Sequence, residues 1–304
     1  MITHTDWTSR GFSLAPVANA VGPFAGPDFL ATLWNNTQAE GEQLVIAEST
    51  DALTVLTIVN DTLGFVGHRD LVDYRSPLGP GSGDLIGEVV RSLPSGTRIV
   101  LDSLPSEAAH PLAAGLRRAG IGVAPTVHDV AAVLALPPTF DEYLTSIGKK
   151  DRHELRRKRR RFEMEEGPFS LQRAIADGTI FKRFVEFHRR SEGEKGRFMT
   201  PGMEQLFSAL LELPGWGVDA LLTGTGEVAA AAFGYADEDG YYLYNSAFDP
   251  ALRQVAPGQV LLGAMIEQAI GSGHRIFDFL KGNEAYKFRL GAVERPLLEI
   301  AVVT

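Results

Sequence analysis

One order of segments occurs twice along the chain, and it limits the folds that the chain can adopt. In each copy, a run of short apolar strands is followed by a Pro/Gly-rich loop, an amphipathic helix and another apolar strand. The loop and helix of the first copy cover residues 73–93, and those of the second cover residues 249–270. The copies agree in kind but not in sequence, so we interpret them as an internal structural repeat.

The length of the chain also favours two domains. It has 304 residues, whereas single cores stop growing near ~250 to 300 residues and typical domains hold about 100 to 150. Pro137 and Pro138 break a strand, and Thr139 can cap a helix that starts near Asp141. The predicted domains are therefore residues 1–136 and 137–304.

Strands alternate with helices in both halves, which predicts partly parallel sheets. Two helical stretches, residues 141–166 and 179–192, precede the strands of the second half. The predicted fold class is α/β (α+β), with two mixed, partly parallel β-sheets flanked by helices.

The composition excludes several classes of protein. The hydrophobic fraction of 44% and the charged fraction of 22% are those of a globular protein. The chain has no cysteine, which rules out disulfides, thiolate metal sites and a cysteine nucleophile. The net charge of −9 argues against general nucleic-acid binding, because that binding depends on a basic surface.

The same survey gives an expected location. No stretch approaches ~18 consecutive apolar residues, and the first residues lack the basic and apolar regions of a signal peptide. We therefore predict no membrane span and a cytoplasmic location. The seven histidines show no metal-ligand spacing, so we predict no metal site.

The loop before the second amphipathic helix is a candidate phosphate site. The first N–H groups of a helix are unpaired and its dipole is positive there, and a glycine lets an anion approach the backbone closely. Gly258 stands at this point. The candidate cofactor-binding residues are Val255, Ala256, Pro257, Gly258, Gln259 and Val260. The alternative is an ordinary Pro/Gly turn that starts a helix.

The segment FDFLKGNEAYKFRLG supplies candidate catalytic groups. Asp278 lies in an apolar strand, where a buried carboxylate must be paired or hydrogen-bonded. Tyr286 and Lys287 follow on a short predicted helix, from which a phenol can donate a proton to a leaving group. In the structural alternative, Tyr286 packs in the core and Lys287 pairs with Asp278 or Glu284.

A third candidate is the basic segment KKDRHELRRKRRR. Nine of its thirteen residues are Lys or Arg, and Arg152 and Arg156 share one helix face while Leu155 lies on an apolar one. Arg152 and Arg156 are candidates for binding an anionic substrate or phosphate. His188 is a further candidate substrate contact. A solvated helix surface is the alternative for all three residues.

Two segments together resemble a known family. They are Y-L-x-S-I-x-K-K-x-R-x-E-L-R-R at residues 143–157, and P-G-x-x-L with F-D-F-L-x-G-x-E-x-Y-K at residues 257–261 and 277–287. Over about residues 136–295, the chain resembles GNAT acyltransferases of the CelD/BcsL-like group, which are relatives of the FemAB-type peptidyltransferases. The common GNAT signature, Gln/Arg-x-x-Gly-x-Gly/Ala, is incomplete because residues 253–258 read R-Q-V-A-P-G.

The resemblance implies a tandem GNAT fold and direct transfer of an acyl group to an amine or hydroxyl. The donor would be acetyl-CoA or another acyl-CoA, with its diphosphate at Pro257, Gly258 and Gln259. Tyr286 would be the acid for the leaving thiolate, and Asp278 a base or an organiser of Lys287.

The resemblance leaves the acceptor open, as a small molecule or a cell-envelope-type precursor. It also leaves two alternative functions. One is a FemAB-like transferase that depends on aminoacyl-tRNA, in which the basic helix contacts the tRNA. The other is a noncatalytic binding module with a GNAT fold.

Overall fold

The structure, a computed structural model, describes residues 1–7, 11–174 and 178–304. The chain forms two compact units. The N-terminal unit consists of Met1–Ala131 together with Arg295–Thr304, and the C-terminal unit consists of Ala132–Glu294.

The N-terminal unit contains a mixed sheet and three α-helices. Its strands are β1 (Ile2–His4), β2 (Gln43–Glu48), β3 (Leu53–Val59), β4 (Thr62–Phe65), β5 (Arg98–Pro105), the first part of β6 (Thr126–Ala135) and the last part of β12 (Val293–Val303). Its helices are α1 (Pro27–Thr37), α2 (Ser82–Arg91) and α3 (Ser106–Arg118). The strand order is β1-β2-β3-β4-β5-β12-β6, with β4 and β5 parallel and the pairs from β1 to β4 antiparallel.

Helices α2 and α3 pack closely because glycines remove side chains from their contact. A Cβ atom added at Gly115 would lie 1.6 Å from the carbonyl oxygen of Gly83, and one at Gly87 would lie 2.9 Å from that of Gly115. The sheet side chains of Leu63, Ile99 and Leu101 are fully buried. The apolar core of this unit therefore depends on a close approach of two helix backbones.

The strands of the C-terminal unit also include parallel and antiparallel pairs. Its strands are the last part of β6, β7 (Ser170–Ala174), β8 (Trp216–Leu222), β9 (Val228–Ala236), β10 (Gly240–Phe248) and β11 (Ile276–Lys281). Its helices are α4 (Phe140–Ser146), α5 (Lys149–Glu166), α6 (Gly178–Arg189), α7 (Glu194–Phe198), α8 (Pro201–Leu211), α9 (Pro257–Gly271) and α10 (Ala285–Arg289). The strand order is β6-β11-β10-β9-β8-β7, with β10 and β11 parallel and β7 to β10 antiparallel.

The C-terminal sheet has different packing partners on its two faces. On one face, α9 packs against side chains such as Leu243 and Phe277. On the other, α6 and α8 contribute an aromatic cluster in which the ring centroids of Phe207 and Phe233 are 4.6 Å apart and those of Phe184 and Phe207 are 5.8 Å apart. The predicted mixed α/β fold class, with partly parallel strands flanked by helices, is confirmed, but the twelve described strands form one sheet and not the predicted two.

The predicted helical stretch over residues 141–166 is two helices. The predicted cap is present, because the Oγ1 atom of Thr139 accepts a hydrogen bond of 3.2 Å from the backbone of Glu142. The break comes at Ile147, whose backbone is extended and whose side chain is 5% exposed. Packing of this β-branched side chain in the core ends α4, and Gly148 precedes α5.

The last strand belongs to the N-terminal unit by its contacts. Residues 295–304 lie within the predicted second domain, but β12 pairs antiparallel with β5, in a register that includes Leu297 with Pro105 and Val303 with Arg98. The hydrogen bonds of this ladder tie the end of the chain to residues that precede the C-terminal unit.

Across the described residues, no helix combines the length and the apolar character that crossing a membrane requires.

Candidate functional site

Strands β10 and β11 are parallel neighbours that pair over a short distance. Their register covers Gly240–Tyr242 and Ile276–Asp278, after which β10 continues to Phe248. A β-bulge follows in β10, because Leu243 is opposite Gly234 whereas Asn245 is already opposite Phe233. Bulges bend a strand and redirect its side chains. We call the unpaired stretch beyond Tyr242 and Asp278, toward the carboxyl ends of the two strands, the opening. Ligands bind at the carboxyl ends of strands in many α/β sheets.

Helix α9 begins at the end of this opening. Its N-cap, Ala256, has the left-handed conformation with φ 52° and ψ 50°, and Pro257 is the first helical residue. A Cβ atom at Gly258 would lie 3.3 Å from the ring of Phe248, the last residue of β10. The side chains of Val255 and Val260 are buried, so the backbone of these residues is what they can offer a ligand, and their predicted role in binding the cofactor stays a prediction. The backbone at Gly258 is thus close to the end of β10 and partly accessible.

A basic side chain from α5 reaches this helix start. The Nζ atom of Lys158 donates a hydrogen bond to the side-chain carbonyl of Gln259 and lies 3.1 Å from a carboxylate oxygen of Glu154. The sequence analysis did not single out Lys158. Nine of thirteen residues in this segment are basic, and the sequence does not indicate which of them reaches the start of α9. Its ammonium group adds positive charge beside the N-terminal end of the helix dipole.

Asp278 is fully buried at the end of the paired part of β11. Its Oδ1 atom accepts a hydrogen bond of 2.8 Å from the backbone N–H of Leu280. Leu280 has a positive φ of 60°, which is rare for a residue with a Cβ atom. Since Phe277 and Phe279 pack in the core beneath α9, Asp278 points to the opposite face of the sheet.

Lys287 is 3% exposed and its ammonium group is engaged by protein atoms. The Nζ atom donates to the backbone carbonyls of Leu280, Lys281 and Gly282 at 3.3, 2.6 and 3.3 Å, and it lies 3.0 Å from the carboxylate of Glu284. These contacts fix the turn between β11 and α10. They correspond to the structural alternative, in which Lys287 pairs with Glu284, and its catalytic role stays a prediction.

Tyr286 lies on α10 and packs against β11. Its ring makes an edge-to-face contact with Phe279, with 6.3 Å between the ring centroids. Burial, and to a smaller extent the negative charge of Glu284, raise the pKa of the Tyr286 phenol above its usual value. The phenol therefore keeps its proton at neutral pH, as an acid that protonates a leaving group must.

The two predicted arginines of α5 have different surroundings. Arg152 donates a hydrogen bond of 2.8 Å to the carbonyl of Leu144 and so anchors the end of α4. Arg156 is exposed and lines an apolar cavity of about 150 Å³ together with α4, Phe169 and the first two turns of α9. Leu144 is therefore a neighbour of both side chains, and binding of an anion by Arg152 and Arg156 stays a prediction.

His188 is 1% exposed, so the interpretation of a solvated histidine is wrong. Its ring stacks edge-on against Phe184 at 4.8 Å, and neither ring nitrogen reaches hydrogen-bond geometry with a described residue. Burial first, and the charge of Lys195 second, lower the pKa of His188 to about 4. The side-chain amide of Asn245, at the bulge in β10, offsets part of that shift. The neutral imidazole thus lies beside the strand that borders the opening.

The structure contains a second buried carboxylate that the sequence analysis did not identify. Asp219 in β8 is 3% exposed, and its Oδ2 atom accepts a hydrogen bond of 2.7 Å from the phenol of Tyr241. Burial raises the pKa of Asp219, against the effects of this hydrogen bond and of Arg173, whose Nε atom is 3.9 Å from Oδ1. An Asp inside the apolar strand WGVDALL is the same signal that identified Asp278.

The described residues contain no group of three or more His, Asp or Glu side chains that could hold a metal ion.

The family comparison agrees with this geometry. Residues 149–288 match the family model described as "Acetyltransferase (GNAT) domain". This part of the chain, somewhat less than half of it, is therefore similar to a GNAT acetyltransferase domain. The match begins at the first residue of α5 and ends inside α10, so it includes the opening between β10 and β11 and the start of α9.

Solved structures of similar fold cover nearly the whole chain. A conserved protein of unknown function from Bacteroides thetaiotaomicron has a TM-score of 0.62 at 14% identity, covering 97% of this chain and 95% of that one. FemX has a TM-score of 0.62 at 11% identity, covering 100% and 98%. L-PGS from Bacillus licheniformis has a TM-score of 0.59 at 13% identity, covering 93% of each chain. These likenesses show the fold, and no curated protein matches the chain in sequence.

Proposed function

We propose that the protein is an acyltransferase that moves an acyl group from acetyl-CoA or another acyl-CoA to an amine or hydroxyl. The observation that carries the proposal is the opening between β10 and β11, which ends at the start of α9. In this proposal, the thioester of the donor lies between the two strands and its diphosphate at the N-terminal end of the helix, where unpaired N–H groups bind anions. The GNAT domain match over residues 149–288 supports the same reaction class.

The residues at the helix start fit a diphosphate. Gly258 presents backbone without a side chain, and Pro257 gives the first helical turn its geometry. Lys158 supplies a cation next to Gln259. Bound acyl-CoA supplies the reactive thioester, and the chain supplies the anion contacts that position it.

The proton transfers are assigned to side chains around the opening. The acceptor nucleophile attacks the thioester carbonyl, the carbon–sulfur bond breaks, and the sulfur leaves with a proton from Tyr286. Asp278 is the proposed base or organiser of the turn that holds Lys287. His188, beside Asn245, is proposed to contact the acceptor as a neutral group.

Thermal unfolding with and without acetyl-CoA and free CoA tests the donor site. A ligand that binds only the folded state stabilises it, by about 2.7 kcal/mol at a concentration of 100 times Kd. We expect both ligands to raise the unfolding midpoint of the wild type, and Gly258→Trp to abolish the shift because its indole blocks the backbone. The matched control is Gly271→Trp at the far end of α9, where a Cβ atom would meet open space.

The changes in the unfolding midpoint distinguish acyl-CoA use from the alternative functions. A shift retained in Gly258→Trp would move the donor site elsewhere, and the absence of any shift in the wild type would contradict the use of acyl-CoA.

The charges of α5 argue against the aminoacyl-tRNA alternative. Four of its nine Lys and Arg side chains, Lys158 and three arginines, are paired with carboxylates, which lowers the positive charge available to an RNA backbone. The arginine pairs are Arg157 with Glu154, Arg159 with Glu163 and Glu267, and Arg161 with Glu165. Binding of tRNA that weakens steeply with salt would favour the alternative instead.

A further inference from the structure

The N-terminal unit has a cleft of its own on one face of its sheet. The cleft has a volume of about 450 Å³, within the range of small-molecule sites. Alternate residues of three neighbouring strands line it, as expected for one face of a sheet. They are Thr57 and Val59 of β3, Thr62 and Gly64 of β4, and Arg98, Val100 and Asp102 of β5.

The two faces of this sheet differ in chemistry. On the opposite face, Leu63, Ile99 and Leu101 are fully buried and form the core with α2 and α3. The cleft face instead carries hydroxyl, guanidinium and carboxylate groups at the intervening positions, such as Thr62 and Arg98. Folding of the core does not require these groups.

A buried arginine forms part of the cleft wall. Arg75 is 4% exposed, and its Nε atom donates a hydrogen bond of 3.1 Å to Asp102. Its other nitrogens donate to the carbonyls of Val66 and Gly67. Burying a guanidinium group is costly unless its hydrogen bonds are made, so these partners hold Arg75 in one fixed position.

A β-bulge places Asp102 beside Arg75. In the pairing of β5 with β12, Leu101 is opposite Ile300 and Leu104 is opposite Leu298. Asp102 and Ser103 are therefore both opposite the single residue between Leu298 and Ile300. Ser103 has a positive φ of 55° and is fully buried. Such strained conformations persist where the surroundings over-determine them and are concentrated at functional sites.

The charges that line the cleft favour an anion. Three guanidinium groups, those of Arg69, Arg75 and Arg98, face two carboxylates, those of Glu42 and Asp102. The Arg98 side chain is exposed, and no ion pair or hydrogen bond of its guanidinium is found in the described part of the chain. In a chain of net charge −9, this is a local excess of positive charge.

We propose that this cleft binds a small polar molecule through a phosphate or carboxylate group. Arg98 and the fixed guanidinium of Arg75 contact the oxyanion, and the hydroxyls of Thr57 and Thr62 contact the polar remainder. All of these residues lie in Met1–Ala131, so the proposal does not depend on acyl transfer by the C-terminal unit.

Calorimetric titration of the full chain with pyrophosphate and with citrate, at fixed ionic strength, tests the proposal. The two probes separate phosphate from carboxylate recognition. We expect at least one to bind the wild type, and Arg98→Gln to weaken that binding about tenfold, since one charge-assisted contact is worth on the order of 1.4 kcal/mol. The matched control is Arg91→Gln, an exposed arginine on α2 outside the cleft, which leaves the affinity unchanged.

Two further experiments test where the probe binds. Gly258→Trp should leave binding of the probe intact, because that residue is in the other unit. Modification of arginines by phenylglyoxal, mapped by mass spectrometry, should show that the bound probe protects Arg98 but not Arg91. Failure of both probes to bind the wild type, equal affinities of Arg98→Gln and the wild type, or loss of binding in Gly258→Trp would each overturn the proposal.

Discussion

At the scale of single residues, His188 links burial to pH. The imidazole stays neutral in the folded protein, with a pKa of about 4, whereas in the unfolded chain its pKa is near ~6.5. Between these values the unfolded state binds more protons, so stability is full above about pH 6.5 and is lost as the pH falls toward 4. The shift is equivalent to a loss of about 3 kcal/mol.

We predict that His188→Phe flattens this dependence. Phe fills a similar volume among the aromatic rings but does not titrate. Urea unfolding at pH 7, 6, 5 and 4.5 should give a smaller decrease in the free energy of unfolding for the variant than for the wild type. His110→Asn, at an exposed histidine, is the control, and its free energy of unfolding should depend on pH as that of the wild type does. An unchanged slope in His188→Phe would show that His188 is not held neutral.

The sequence carried information about some of these residues and not about others. The burial of Asp278 was predictable because its neighbours in the strand are apolar. The burial of His188 was not, since the next residues, Arg189 and Arg190, are those of a solvated helix end. The contacts of Lys287 depend on the turn after Leu280. The positive φ of Leu280 could not be predicted, because leucine rarely adopts it.

At the scale of helices and strands, the contact of α2 with α3 is the most restrictive packing in the N-terminal unit. The Cβ atom that Gly115→Ala adds would overlap backbone atoms of Gly83, so the helices must separate. We predict that this variant lowers the free energy of unfolding by about 3 kcal/mol, measured in urea. Gly122→Ala is the control because its Cβ atom meets no atom within 4 Å, and it should change stability by less than about 1 kcal/mol.

Equal stabilities of Gly115→Ala and Gly122→Ala would mean that the two helices are not in close contact. The sequence predicted α2 and α9 as helices that follow Pro/Gly-rich loops. It did not predict which glycines face each other, because that depends on how α2 and α3 cross. Nor did it predict the break at Ile147, since a helix-compatible pattern continues through that residue.

At the scale of the whole molecule, β12 gives a test of the two units. Ile300 is fully buried and opposite Leu101 of β5. We predict that Ile300→Ala, which costs about 3 kcal/mol, accelerates hydrogen exchange of residues 98–105 and leaves residues 257–271 near the wild-type rate. Val303→Ala, at a side chain that is 64% exposed, is the control. Equal acceleration in both segments would show that the units unfold together.

The discontinuity of the N-terminal unit has a consequence for how the chain can be rearranged. The C-terminal unit is an insertion: the chain leaves the N-terminal unit after Ala131 and returns at Arg295. These two residues are in β6 and β12, which are neighbouring strands. A gene that joins them through a short designed linker would encode the N-terminal unit as one uninterrupted polypeptide, whereas a stop codon between the predicted domains would remove its last strand.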